Sequence, residues 1–175
     1  IYGGSKPAIN INGGNDNVIL GNIMDNTASY QSSVIDLDNA SRTMINSNKF
    51  IGHGAGSYYA VDIDSACNGT QILQNSFVGT FPSGILHNLA GATTIVKSNV
   101  GFVTENSGSA INSTATTFVF NHGLAGTATG VWASFNTTAV TGWTWTSTAT
   151  QITITVTGKL PRRVACYWTA EYKPT

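Results

Sequence analysis

Charge is what this chain has least of. Asp, Glu, Lys and Arg make up 9% of its 175 residues, eight of each sign, and the formal net charge is zero. A chain with no basic excess has no patch to set against phosphates, which argues against nucleic acid and anionic membrane as partners. No apolar run approaches the ~18 residues of a membrane span. Cysteine is nearly absent too. Cys67 and Cys166 lie far apart with no CxxC or zinc-type spacing, and read as buried free thiols rather than a disulfide. There is no phosphate loop and no alternation of helical and strand patterns, which excludes a nucleotide-binding enzyme. Cofactors are therefore expected to be none, with Ca²⁺ the one ion left open below. The chain opens at Ile1 with neither an initiator Met nor a signal peptide, already in the style of its later repeats. The expectation is a C-terminal piece of a longer protein.

What the sequence does have is a phrase that returns four times: Ile19-Leu-Gly-Asn22-Ile-Met24, Ile45-Asn-Ser-Asn48-Lys-Phe50, Ile72-Leu-Gln-Asn75-Ser-Phe77 and Val96-Lys-Ser-Asn99-Val-Gly101. The Asn positions step by 26, 27 and 24 residues (22 to 48, 48 to 75, 75 to 99). A step within about 20–50 residues is the signature of a solenoid. With short strand-like segments, it fits one coil of a parallel β-helix, about four coils in all. Each recurring Asn is expected at a tight bend, bonding the backbone and its equivalents above and below, because Asn tolerates turn conformations. Before each Asn phrase comes an alternating strand: Ile9-Asn-Ile-Asn12, Ile35-Asp-Leu-Asp38 and Val61-Asp-Ile-Asp64, with Ile85-Leu-His-Asn88 as a decayed fourth. Successive side chains in a strand point to opposite faces. Ile9, Ile11, Ile35, Leu37, Val61 and Ile63 are therefore expected to stack inward. Asn10, Asp36 and Asp62 form one outward column, and Asn12, Asp38 and Asp64 another.

After Phe102 the rhythm changes. Thr104–Ser109 reads as a linker or crossing loop. Strand candidates follow at 116–121, 130–136, 142–146, 151–157 and 164–172. Several short strands with regular turns argue for a small antiparallel sandwich. The fold class is thus all-β, a right-handed parallel β-helix over 1–106 and a small β-sandwich over 107–175. All four tryptophans fall in the second part. Trp143 and Trp145 share a strand face, and two readings of them stay open: sandwich core with subunit interface, or stacking platforms for sugar rings. His122, ahead of Gly123, reads as a structural hydrogen-bonding residue that ends a strand before a turn.

These residues carry a resemblance. The Asn phrase resembles right-handed parallel β-helix proteins of the phage-tailspike and pectate-lyase-like type. The segments Thr117–Leu124, Gly130–Ser134 and Val164–Tyr172 resemble small C-terminal modules of tail fibres and tailspikes, which look like H-type lectin folds. The resemblance implies a homotrimer held by its C-terminal sandwiches, on a virion surface or otherwise extracellular, that binds and in some cases cleaves cell-surface polysaccharide.

Chemistry is best placed at the acidic patch. Adjacent strands put Asp36 beside Asp62 and Asp38 beside Asp64, about 4.8 Å apart. Like charges at that distance raise one pKa, as an acid–base pair requires. Catalysis, Ca²⁺ binding and plain structure are all open to these four carboxylates. If the chain is an enzyme, it is a glycoside hydrolase or a polysaccharide lyase, and strand spacing does not choose between retention and inversion. A lyase also wants a cation, and Arg42, Lys49 and Lys97 are scattered. His53 and His87 show no regular pairing. The loop His53–Tyr59 is placed to project beside the Asp face, where Tyr58 and Tyr59 would stack a sugar. The competing reading is a non-catalytic trimeric adhesive tip, with any enzyme upstream or absent.

Overall fold

The computed structural model describes residues 6–26, 33–112, 116–158, 160–161 and 163–174. The chain divides into two compact units, Ile1–Phe102 and Val103–Lys173.

The first unit is a parallel β-solenoid. Its first coil holds β1 (Ile9–Asn12), β2 (Val18–Leu20) and β3 (Ile23–Asn26). The second holds β4 (Ile35–Asp38), β5 (Met44–Asn46) and β6 (Lys49–His53), and the third β7 (Tyr59–Ile63), β8 (Gln71–Leu73) and β9 (Ser76–Thr80). A fourth coil adds β10 (Gly84–Asn88) and β11 (Ile95–Lys97), but a single bridge from Ser76 to Val100 stands where its third strand would be. Equivalent strands stack into three walls, β1-β4-β7-β10, β2-β5-β8-β11 and β3-β6-β9.

The register follows from the alternation. Ile35 lies between Ile9 and Val61, and Leu37 between Ile11 and Ile63. Ile35, Leu37, Val61 and Ile63 are wholly buried, with the partly buried Ile9 and Ile11 packed against them. A second inward column runs Ile19, Ile45, Ile72, Val96. The large residue ending each Asn phrase forms a third: Met24, Phe50 and Phe77, with Phe50 and Phe77 stacked at 4.8 Å between ring centroids. In the fourth coil Phe102 meets Phe77 edge-on, because Gly101 packs so closely on the Phe77 carbonyl that a side chain there would collide with it.

The Asn phrase builds a ladder. Asn48 Oδ1 accepts from the backbone N–H and amide of Asn22, Asn75 Oδ1 from those of Asn48, and Asn99 Oδ1 from those of Asn75, all at 2.8–3.1 Å. Each amide also donates to a carbonyl of the preceding coil: Asn48 to Ile19, Asn75 to Ile45 and Asn99 to Ile72. One part of the expectation needs correcting. The left-handed residue at this bend is not the Asn but the one before it: Gly21, Ser47, Gln74 and Ser98, with φ between 54° and 69°. That position bends the chain, and the Asn after it fills the resulting notch.

The second unit is two three-stranded antiparallel sheets. One is ordered β12 (Glu105–Asn112), β17 (Val164–Glu171), β14 (Gly130–Phe135); the other is β13 (Thr117–Asn121), β16 (Gln151–Thr157), β15 (Gly142–Ser147). Thr104–Ser109 is therefore no linker: from Glu105 it is the start of the longest edge strand, paired with β17 along its length. Phe118, Phe120, Ile152, Ile154 and Val156 from one sheet share a core with Val131, Val164, Cys166, Trp168 and Ala170 from the other. His122 is buried there. Its Nδ1 accepts from the Leu124 N–H and its Nε2 donates to the Thr148 carbonyl, so both ring nitrogens are spent on the turn. Both cysteines are buried and free, and burial pushes the Cys166 thiol up to about 11.

Candidate functional site

The wall β1-β4-β7-β10 carries the acidic residues. Its outward column runs Asn10, Asp36, Asp62, His87, each in register with the next. Asn12 and Asp38 form the parallel column, extended by Asp64, whose N–H donates to the Leu37 carbonyl just past the end of β7. All four carboxylates are half-buried. Burial, and then the fields of Asp38, Asp62 and Asp64, hold the Asp36 carboxyl above the ordinary carboxylate range. The carboxylates differ in what they bind. Asp64 Oδ1 accepts from the Ala66 N–H at 2.9 Å and the Ser65 hydroxyl at 3.3 Å, so it closes its own turn. Asp62 Oδ1 accepts from His87 Nδ1 at 2.9 Å, and its Oδ2 from the Ser33 hydroxyl at 3.4 Å. An ionised carboxylate only accepts, so Nδ1 carries the proton and Nε2 of a neutral ring keeps its lone pair. Asp36 and Asp38 are left facing outward.

His87 is the residue the sequence reading missed. It lies in the coil whose alternation decays, yet its register with Asp62 is that of the three coils below. Its ring stacks on Tyr59, centroids 4.8 Å apart and planes 14° from parallel. Tyr59 reaches the outer side because Ala60 and Val61 are consecutive buried residues, a break in strict alternation at the start of β7. Tyr58, read as a sugar platform, belongs to the core instead. It is 2% exposed, packs edge-on against Phe81 and accepts from the His53 N–H, so it offers no face to a ligand.

A second acid–imidazole pair lies on the wall β3-β6-β9, where His53 Nε2 meets Asp25 Oδ1 at 2.7 Å. Among the described residues no group of three or more His, Cys, Asp or Glu side chains converges to hold a metal ion.

In the second unit, Trp143 and Trp145 stand opposite Val156 and Ile154 on β16 and pack against the shared core from edge strand β15. Both are half-buried. The exposed aromatics are Trp132 and Tyr167, 55% and 53% accessible.

No protein-family profile matches this chain, and no curated protein matches it. Among solved structures it is similar to the crystal structure of the Pseudomonas phage phi297 tailspike gp61, at 11% identity and a TM-score of 0.47, over 93% of this chain and 37% of that one. The chain thus spans well under half the length of that tailspike.

Proposed function

We propose that this chain is a polysaccharide-binding part of a tailspike-like surface protein, and that the acidic wall of the solenoid holds the glycan. The observation behind the reading is the row Asn10, Asp36, Asp62, His87 with the Tyr59 ring stacked on its end. Carboxylates and amides in line accept and donate to successive sugar hydroxyls, and an aromatic face takes the C–H face of a pyranose. In this reading Asp36, whose carboxyl burial and its acidic neighbours hold above the ordinary range, is assigned as proton donor, and Asp62, oriented by His87 and Ser33, as base or nucleophile. The chemistry this supports is hydrolysis of a glycosidic bond.

The test is a panel of neutral, amino-bearing and acidic polysaccharides, each with and without a chelator, read for binding and for new reducing ends. Asp36→Asn should abolish release of reducing ends, and Asp36→Asn with Asp62→Asn should weaken binding at least tenfold. Unchanged binding in the double variant removes the wall from the reading. A calcium-bridged wall would show as binding lost to the chelator alone.

A second reading keeps binding and drops cleavage. It is favoured by Asp64, whose carboxylate is tied into its own turn and adds no free group to the wall. Binding without reducing ends on every substrate decides for it. In either reading we propose a homotrimer, on the virion or otherwise extracellular. Its support is the exposed apolar side chains on the outer side of the wall β2-β5-β8-β11, where Val18, Leu20 and Ile95 are 58%, 59% and 45% exposed. Light scattering that gives a monomer would refute it.

A further inference from the structure

The sheet β12-β17-β14 turns one face to the core and the other to solvent. We infer that the solvent face is a second carbohydrate site, built on Trp132 and Tyr167 and separate from the acidic wall. Trp132 stands opposite Thr169, and Tyr167 opposite Ser134, so the two rings are diagonal neighbours on one face. Diagonal side chains across an antiparallel pair lie about 7–8 Å apart, within reach of a ligand that touches both. Between them is an open cleft of about 200 Å³ lined by Trp132, Ala133, Ser134, Tyr167, Trp168 and Thr169. Ser107 and Ser109 of β12 continue the hydroxyl rim on the far side of β17, opposite Thr169 and Tyr167.

The lining chooses the ligand class. Two half-exposed rings among four hydroxyl side chains suit a molecule that is apolar on one face and hydroxylated at its rim, which describes a pyranose. A hydrophobic peptide would leave those hydroxyls without partners. The acids Glu105 and Glu171 stand together at one end of the sheet, and none of the described residues lining the cleft is Lys or Arg, which disfavours a phosphate or sulfate. A side chain at Gly130 would come within 2.9 Å of the Trp132 ring, which lies back over that glycine.

The test uses the whole chain and free sugars: glucose, galactose and their N-acetylamino forms, read by saturation-transfer NMR. Transfer to sugar C–H protons is expected. It should fall at least tenfold in Trp132→Ala and in Tyr167→Ala, survive in Trp132→Phe, and survive in the wall variant Asp36→Asn with Asp62→Asn. Circular dichroism checks that each variant is folded, which the exposure of both rings favours. No transfer from any sugar, or transfer unchanged by Trp132→Ala, overturns the inference. So does a drop in molar mass for Trp132→Ala without loss of a sugar signal, which would make this face a contact between copies.

Discussion

The solenoid stacks identical positions in two ways, and the two columns behave oppositely. Along the bend, Asn22, Asn48, Asn75 and Asn99 stack as amides. Along the wall β1-β4-β7-β10, Asn10, Asp36, Asp62 and His87 stack as mostly acceptors. An amide carries both donors and an acceptor, so a column of amides satisfies itself, each oxygen taking from the coil below and each nitrogen giving to a neighbouring carbonyl. A carboxylate carries acceptors alone, so a column of carboxylates satisfies nothing and repels itself. It is relieved where a donor arrives, as at His87 on Asp62, and stays open where none does, as at Asp36. The repeat is the same geometric device in both places. Closing the hydrogen-bond ledger makes it scaffold, and leaving it open makes it available to a ligand.

Breaking the closed column has the largest expected effect. Asn75 is buried, and its side chain makes four hydrogen bonds: it donates to Asn99 and to the Ile45 carbonyl, and accepts from the N–H and the amide of Asn48 below it. Asn75→Ala orphans buried partners on both sides, at a cost of about 3 kcal/mol, read as a shift in the denaturant midpoint. Asn22 ends the column and is half-buried, so Asn22→Ala should cost about 1 kcal/mol. Equal losses at the two positions would show that the ladder is not the source. On the open column, His87→Ala removes the Asp62 donor and the Tyr59 stack. Both are partly exposed, and the expected loss is about 1 kcal/mol by the same measurement.

How much of this was legible depended on whether a position repeats. The ladder and the inward columns are written in every coil, so spacing alone placed them, and the register of Asp36 with Asp62 came with them. His87 escaped because its coil is shorter and Ile85-Leu86 blurs the period of two. It is found by counting register from Val61 to Leu86 rather than by pattern. Tyr58 was misplaced because the pair Ala60-Val61 breaks alternation at the start of β7, which turns Tyr58 into the core. In the second unit nothing repeats. Strands with alternating apolar residues, such as Gln151–Thr157, were plain, whereas β12 opens with Glu, Asn, Ser and Gly, a loop-like composition. It is an edge strand held along its whole length by backbone pairing with β17. Trp143 and Trp145 were visible as a pair, but which side of β15 faces the core is set by Val156 and Ile154 across the sheet, a contact no local pattern contains.

The smallest effects sharpen the contrast most, because they separate repulsion from mere exposure. The Asp36 carboxyl lies above its ordinary value of 3.8, so the folded chain holds that proton more tightly than the unfolded one. Its contribution to stability is full below the unfolded value and is lost as pH rises through the raised folded value. At neutral pH the folded state therefore bears the cost of burying the charge, and then the repulsion of Asp38, Asp62 and Asp64. Asp36→Asn, which adds a donor to the column, should raise stability by about 0.5 kcal/mol there. The gain should vanish as pH falls below about 3.8, in thermal melts at matched ionic strength. The control is Arg42 and Asp16, an ion pair at another bend, with Nε and Oδ1 2.6 Å apart and both side chains more than half exposed. Arg42 holds Asp16 below the ordinary range, the opposite direction to Asp36. Because that pair stands in water, Arg42→Ala should leave the melting temperature within error at every pH where the fold survives. If Arg42→Ala moves the melt as far as Asp36→Asn does, the wall's partial burial is not what sets Asp36 apart, and the open column loses its claim to be special.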